Sequence, residues 1–367
     1  MKLIISRTSL TELIGKIQSV VPLKPTLPVL ANILLEAVDD QLILSATDLT
    51  VSIRAFTDAK ILEEGSVTLP AKRFFQLIRE LTAPTIELHA ATPETIFINS
   101  GSSHFKIHGM HKNEFPTLPN FNDGTRFKLD SSLVKEIFSR TAFSAAREEQ
   151  QKLLNSIYFE YQNKIASFIA TDGKRVAKFE LPLDLPISNS SLLLPIKAVE
   201  EILKLLNDQE SQISFTLLPD KCAIEIGSIT LMTQLLSGKY PDLSRVLPKK
   251  SQSPIVLHRE ELISLLRQIS LFTATQNSAV KFTFSSGELH LSAMSGSIGE
   301  GTVNMPINYG GEKVDIAINP HHFLDILRHS SDEVVHFDLF GSYNPGLVTD
   351  STHAQFTLIP MRLTSDI

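Results

Sequence analysis

The sequence predicts an α+β protein made of three repeated domains, each an antiparallel sheet with two helices. Three observations predict it. Pro70-Ala71-Lys72, Pro195-Ile196-Lys197 and Pro320-His321-His322 each follow an apolar strand and open a helical pattern, with successive prolines 125 residues apart. Phe115-Pro116 and Tyr240-Pro241 are also 125 apart, and Ala46-Thr47-Asp48 and Ala170-Thr171-Asp172 are 124 apart. Within each third the patterns run strand, helix, several strands, helix, strands, with hairpin spacing rather than βαβ spacing. A fixed internal period makes the shared and the differing columns the informative ones.

In the first third, Leu3 to Ser6 is a short strand. Leu10, Leu13, Ile14 and Ile17 fall at i, i+3, i+4 and i+7, the stripe of an amphipathic helix. A meander follows: Ile33–Val38, a turn at Asp39-Asp40, Leu42–Ala46 and Val51–Phe56. After Pro70 a second helix turns Phe74, Leu77, Ile78 and Leu81 inward, and Ile86–Leu88, Ile96–Ile98 and Phe105–Ile107 close the unit. The helical stretches that open the other thirds are Leu133–Ala145 and Leu262–Phe272, and both helices of a third are expected on one face of its sheet. Polar, turn-rich stretches at Asn120–Thr125 and Lys249–Pro254 place the boundaries, giving domains 1–124, 125–252 and 253–367.

Composition agrees. A chain of 367 residues exceeds the size of a single core, and thirds of about 120 residues lie near the commonest domain size. With 43% apolar residues each third can bury a core of its own. No apolar run approaches the ~18 residues of a membrane span, and Met1–Arg7 meets charge too soon for a signal peptide. The single Cys222 excludes an intramolecular disulfide and fits a reducing cytoplasm.

Charge separates the helices from the rest. The segments Arg7–Lys24, Ala71–Thr82, Ser131–Lys152, Ile196–Asn207, His258–Ser270 and Asn319–Ser330 hold 15 Lys and Arg against 10 Asp and Glu. Their balance of +5 in a chain of net charge −6 leaves −11 for the remainder. Lys72, Lys197 and His322 share a repeat column, and Arg79, Lys204 and His329 share another, seven residues on and on the same helical face. A charged outer face is ordinary for any amphipathic helix. Its recurrence in fixed columns of an acidic chain also suits a polyanion held through its phosphates, without base reading. Geometry limits the shape: six helices packed at roughly 8–10 Å around a ring would leave a bore under ~10 Å, whereas twelve, from two chains, would leave at least ~20 Å, the scale of duplex DNA.

Four ordered motifs then carry a resemblance. They are Pro25-Thr-Leu-Pro-Val-Leu-Ala-Asn32, Ala170-Thr-Asp-Gly-Lys-Arg175, Tyr240-Pro-Asp-Leu-Ser-Arg-Val-Leu-Pro248 and Ile359-Pro-Met-Arg-Leu363. With them the chain resembles, over essentially its whole length, the bacterial DNA polymerase III beta subunits, the DNA sliding clamps. The resemblance implies a DNA-clamp ring: a head-to-tail homodimer that encircles double-stranded DNA irrespective of sequence and acts as a processivity factor. Its implied partners are the DNA polymerase III alpha subunit, a clamp loader, and other polymerases and repair proteins held through short hydrophobic peptides. It implies no catalysis, no cofactor, no metal and no membrane, and a place in the bacterial cytoplasm, at the nucleoid.

Site residues follow from the same resemblance. A partner-peptide pocket is implied at Leu154, Thr171, Gly173, Lys174, Arg175, Val176, Pro241, Arg245, Val246, Leu247, Pro360, Met361 and Arg362. An unbranched, polarizable Met361 suits a groove that adapts to several ligands, although the same residues also fit a plain hairpin turn and a last strand. Met294-Ser-Gly-Ser in the third repeat lacks the motif, so the second repeat is specialised at this turn. DNA contacts are implied at Lys24, Lys72, Arg79, Lys152 and Lys197, with Arg147 nearby. Lys24 stands where the family usually has arginine, and Lys152-Leu153 where it often has aromatic residues, so charge contact is expected there rather than stacking. A dimer interface is implied between Arg73 and Phe105 of the first domain and Leu271 and Phe272 of the third, with the facing acidic cluster thinned to Glu300. A tail, Thr364–Ile367, extends past the usual end beside the pocket.

Enzymatic readings find little footing. Gly296–Gly301 has the wrong spacing for a dinucleotide fingerprint, and no phosphate loop exists. His104, His108 and His111 straddle a strand and a turn where alternation sends neighbours to opposite faces. His321 and His322 point about 100° apart on a helix. Cys222 sits in an apolar strand, and the Asp48/Asp172 pair is explained by the repeat. A monomeric three-domain peptide scaffold and a hydrolase using surface carboxylates are the two other readings of these residues.

Overall fold

The computed structural model describes residues 1–121, 123–206, 211–251, 253–273 and 278–362. Leu363 of the last motif, the tail Thr364–Ile367, and Asn122 and Gln252 of the two boundary stretches lie outside them. The chain forms two compact units, Met1–Lys135 with Lys197–Leu235, and Glu136–Ile196 with the chain from Leu236 onward.

In the first unit, a five-stranded antiparallel sheet runs in the order β5 (Lys60–Glu63), β1 (Lys2–Ser6), β7 (Thr85–Thr92), β8 (Thr95–Ser100), β9 (Ser103–His108). An eight-stranded sheet runs β10 (Thr125–Asp130), β15 (Gln212–Leu217), β16 (Lys221–Ile226), β17 (Ile229–Gln234), β4 (Val51–Asp58), β3 (Gln41–Thr47), β2 (Asn32–Val38), β6 (Gly65–Pro70). In the second unit, an eight-stranded sheet runs β14 (Ser190–Pro195), β11 (Ser156–Gln162), β12 (Ile165–Thr171), β13 (Arg175–Pro182), β25 (Ala354–Leu358), β24 (Gly346–Thr349), β23 (Val334–Asp338), β18 (Ile255–His258). A four-stranded sheet runs β21 (Gly299–Pro306), β20 (Glu288–Ser295), β19 (Val280–Ser285), β22 (Val314–Ile318). The α-helices are α1 (Arg7–Ile17), α2 (Ala71–Glu80), α3 (Ser131–Thr141), α4 (Ile196–Leu205), α5 (Arg259–Ser270) and α6 (Pro320–Arg328).

The expected single sheet per third is instead two half-sheets. Each third runs strand, helix, meander twice over, and the opening strand of one half pairs with the meander of the other: β1 with β7 and β6 with β2, β10 with β15 and β14 with β11, β18 with β23 and β22 with β19. Half-sheets of successive thirds then fuse, through β4 and β17 (Ile229 opposite Ala55) and through β13 and β25 (Arg175 opposite Leu358). The middle third therefore supplies strands to both units.

The helices form for the reasons their stripes announce. Leu10, Leu13, Ile14 and Ile17 of α1 are all buried, as are Phe74 and Ile78 of α2, and each such side chain contributes about 1.5–3 kcal/mol by leaving water. Proline marks each start: Pro70 and Pro195 end strands and Pro320 occupies the first turn of α6, where a missing N–H costs nothing. Asn319 caps α6, its Oδ1 accepting from the His321 N–H at 2.9 Å. No helix among the described residues is long and apolar enough to cross a membrane. Cys222 is buried in β16, and burial pushes its thiol up to about 12.

Candidate partner and nucleic-acid interfaces

The repeated Thr-Asp turns share one hydrogen-bond design. Thr47 Oγ1 takes the Leu49 N–H at 3.0 Å, and Asp48 Oδ1 takes those of Thr50 and Val51 at 2.9 and 2.7 Å. Thr171 Oγ1 likewise takes the Gly173 N–H at 3.0 Å, and Asp172 Oδ1 those of Lys174 and Arg175 at 2.9 and 3.1 Å. Both turns need a left-handed residue, supplied by Leu49 (φ 77°) in the first and by Gly173 (φ 82°) in the second. Glycine adopts it without the strain leucine carries. The turns differ in what the second carboxylate oxygen holds: Asp48 pairs with Lys197 Nζ, whereas Asp172 takes Arg175 Nε at 3.1 Å.

Arg175 is buried and fully engaged. Besides Asp172 it reaches Asp325 at 2.7 Å and the Phe143 carbonyl at 3.1 Å, and its guanidinium lies 5.4 Å from the Phe143 ring centre. It braces the turn from behind, while Gly173 and Lys174 are exposed at the tip. The Ile359 N–H donates to the Lys174 carbonyl at 3.1 Å, and the Met361 N–H to the Ala317 carbonyl at 2.8 Å. These bonds set Pro360 and Met361 beside the turn, half-exposed, with Arg362 exposed. From the other side, Val176, Ile169, Leu193 and Tyr240 form a buried cluster on which Leu154, Leu243 and Leu247 pack. Tyr158 and Tyr240 stack at 5.0 Å between ring centres. An open groove of about 680 Å³ runs over this sheet face between Tyr158, Glu160, Ser167 and Lys178 and the segment Leu236–Leu247, with Pro241 and Leu247 on its wall. Ser167 Oγ is buried on that face without a hydrogen-bond partner among the described residues. Arg245 is exposed and Val246 half-buried. The sequence reading did not single out Tyr158, Lys178 or Ser167. Their signal was the strand alternation in β11, β12 and β13, which puts them on one face.

Among the proposed DNA contacts, Lys24, Lys72, Arg79, Arg147 and Lys152 are exposed, and Arg79 lies 5.6 Å from the Phe75 ring centre. Lys197 is half-exposed and paired with Asp48, and Lys204 pairs with Glu201 at 2.7 Å. The third repeat breaks the basic columns. His322 and His329 are half-buried; His329 stacks on Phe143 at 4.2 Å, and its Nδ1–H donates to the Asp325 carbonyl at 2.7 Å. Burial lowers both histidines below their ordinary 6.5, the Arg175 charge helps to lower them, and Asp325 opposes it. They are neutral packing groups, so the outward cation expected from the repeat stops at α4.

A pH dependence follows. Below 6.5 the unfolded chain binds protons at His322 and His329 that the folded chain resists, so the stabilisation present at neutral pH is lost as pH falls through that value. The melting temperature of the second unit should drop between about pH 7 and 5, and His322→Gln with His329→Gln should flatten the drop. An unchanged profile in the double variant would assign the acid sensitivity elsewhere.

The implied interface residues are exposed or partly so. Phe105 (39% exposed) stands on β9, an edge of the five-stranded sheet, and Arg73 is exposed on α2. In the second unit α5 ends at Ser270, and Leu271 (71% exposed) and Phe272 lie in the turn beyond it. Phe272 lies against β21 at Gly301, where an added Cβ would meet its ring at 2.8 Å. Glu300 is exposed on β21, an edge of the four-stranded sheet, opposite Met294, and Met294 and Ile298 add two exposed apolar side chains beside it. The histidines raised as metal candidates take separate partners: His104 bonds Asn99 at 2.9 Å, His108 faces Thr95 at 3.4 Å and His111 accepts from the Asn113 N–H at 3.1 Å.

Three thirds of paired half-sheets and helices, in this order, make a DNA-clamp fold. Residues 1–119, 128–242 and 244–363 match in turn the N-terminal, central and C-terminal domains of the DNA polymerase III beta subunit, and the chain belongs to that family. It is similar to the beta sliding clamp of Chlamydia muridarum, with 47% identity over all of both chains. Among solved structures it is similar to a DNA polymerase sliding clamp of Pseudomonas aeruginosa, at 26% identity and a TM-score of 0.93, covering 99% of this chain and 100% of that one. A sliding clamp of Bartonella birtlesii, solved bound to griselimycin, matches at 27% identity and a TM-score of 0.93 with the same coverage.

Proposed function

We propose that two copies of this chain close head to tail into a ring around duplex DNA and serve as the non-catalytic processivity clamp of a replicative polymerase. The observation that carries the ring is the pair of unfinished sheets. Two sheets are complete at eight strands, while the five- and four-stranded ones end on β9 and β21, edges that carry Phe105 and Glu300. Joined between copies they would make a sheet of comparable size and cover two edges that invite pairing. In this reading Arg73, Phe105, Leu271, Phe272 and Glu300 form the contact, and 1–124, 125–252 and 253–367 act as three domains.

Lys24, Lys72, Arg79, Lys152 and Lys197, with Arg147, hold DNA through its phosphates. Lys197 contributes less than Lys24, Lys72, Arg79 and Lys152 because Asp48 already neutralises it. The surface at Leu154, Thr171–Val176, Pro241, Arg245–Leu247 and Pro360–Arg362 takes short hydrophobic peptides from the polymerase alpha subunit, the clamp loader, and other polymerases and repair proteins; Arg175 serves by holding the turn. A cytoplasmic place at the nucleoid accords with this role.

The test is retention after loading. On closed circular DNA the protein should persist at salt that screens phosphate contacts, and on linear DNA it should slip from the ends. Equal lifetimes on the two forms would overturn the ring.

A further inference from the structure

The first third carries a second groove, of about 520 Å³, that occupies the same repeat columns as the one beside Pro241. Phe115-Pro116 wall it where Tyr240-Pro241 wall the other. On the sheet face, Glu36 and Arg54 stand 124 residues before Glu160 and Lys178. Its apolar floor is the cluster of Val29, Leu34 and Phe115, with Leu118 packed on it. The two grooves differ in charge. On the sheet face of the Pro241 groove Lys178 is paired with Glu180 at 2.6 Å, and the cation that groove still presents is the exposed Lys239 on the opposite wall. In the first groove Glu36 is paired with Lys112 at 3.2 Å, while Arg54 is exposed and meets no carboxylate among the described residues.

We propose that this groove is a second peptide-docking site, whose occupant is an extended segment of a partner protein with an apolar side chain over Leu34, Phe115 and Leu118 and an acidic side chain on Arg54. The uncompensated guanidinium selects the acidic residue, because a bidentate carboxylate matches its fork. The inference borrows from the preceding section only the assignment of the Pro241 groove to peptides.

The experiment is photo-crosslinking of the full-length protein with acetyl-Leu-Ser-Leu-Asp-Phe-amide carrying a benzophenone, followed by mapping of the adducts. Adducts are expected on residues 112–118 and on residues 236–247. Arg54→Glu and Thr117→Trp, both at exposed positions, should each cut the first set about tenfold and leave the second intact, and a probe with lysine for aspartate should lose the first set. Adducts on 112–118 alone would sustain this site and overturn the peptide reading of the Pro241 groove. Adducts on 236–247 alone, or adducts on 112–118 undiminished by either variant, would overturn the second site. Displacement of the probe from 112–118 by an equal concentration of duplex oligonucleotide would assign Arg54 to phosphate and overturn it as well.

Discussion

Arg140→Met is expected to destabilise the second unit by about 3–5 kcal/mol, because it strands a buried carboxylate. Arg140 lies near the end of α3 with its side chain almost wholly buried, and its Nη1 meets Asp350, also buried, at 2.8 Å. The same guanidinium donates to the His329 carbonyl at 3.0 Å, just past α6, where a cation suits the helix's negative end, and it also bonds the Ser331 hydroxyl. One side chain thus ties α3 to the end of α6 and to the turn after β24. Burial pushes the Asp350 carboxyl up, but hydrogen bonds from the Thr352 hydroxyl, the Ser331 and Thr352 N–H groups and Arg140 outweigh it, so the net shift is downward. Adding Asp350→Asn should recover only part of the loss, since the carboxylate also satisfies those two backbone N–H groups. Urea denaturation of the two single variants and the double would measure the coupling, and a loss under about 1 kcal/mol for Arg140→Met would refute the bracing role.

Leu271→Ala with Phe272→Ala is expected to leave folded monomers. Leu271 is among the most exposed large apolar side chains of the described residues and stabilises nothing where it stands. If it and Phe272 fill the centre of the head-to-tail contact, their loss removes about 1.5–3 kcal/mol each, or some two to four decades in the dissociation constant. Light scattering at low micromolar concentration reads the mass, and circular dichroism checks the fold. A double variant that still weighs as a dimer would place the contact on another surface.

Much of this was legible locally. The stripe Leu10, Leu13, Ile14, Ile17 fixes a helix because burial there has period 3.6, and the short apolar run Leu42–Ala46 after the Asp39-Asp40 turn reads as a strand. Asp39-Asp40 announced its turn, and Asp39 indeed adopts φ 52°. By contrast β5, with the sequence Lys-Ile-Leu-Glu, is short and charged, and only its pairing with β1 makes it a strand. The fused sheets escaped for a different reason: the partners β4 and β17 are set by tertiary packing between distant segments, which no local period encodes. The turn at Thr171 and the exposed Lys72 and Arg79 could be placed from the repeat alone, whereas Lys24 came only with the resemblance. The role of Arg140 could not be: Lys16 stands in the same column of α1, but the partner Asp350 is 210 residues away and no local pattern joins the two. The two histidines misled because a repeat column conserves position along a helix, not what packs against it.

The fusion of half-sheets also sets a schedule for synthesis. The meander that ends with β4 at Asp58 waits for β17, which ends at Gln234, and the one that ends with β13 at Pro182 waits for β25, which ends at Leu358; each delay is 176 residues. At ribosomal rates of about 5–20 residues per second, the edges of β4 and then β13 stay unpaired for roughly 10 to 35 seconds apiece. Val51 to Ala55 and Val176 to Phe179 are mostly apolar strands left open in that interval. A nascent chain of this design therefore exposes a sticky edge twice on its way to the folded state, and each exposure ends only when a strand from the next third emerges.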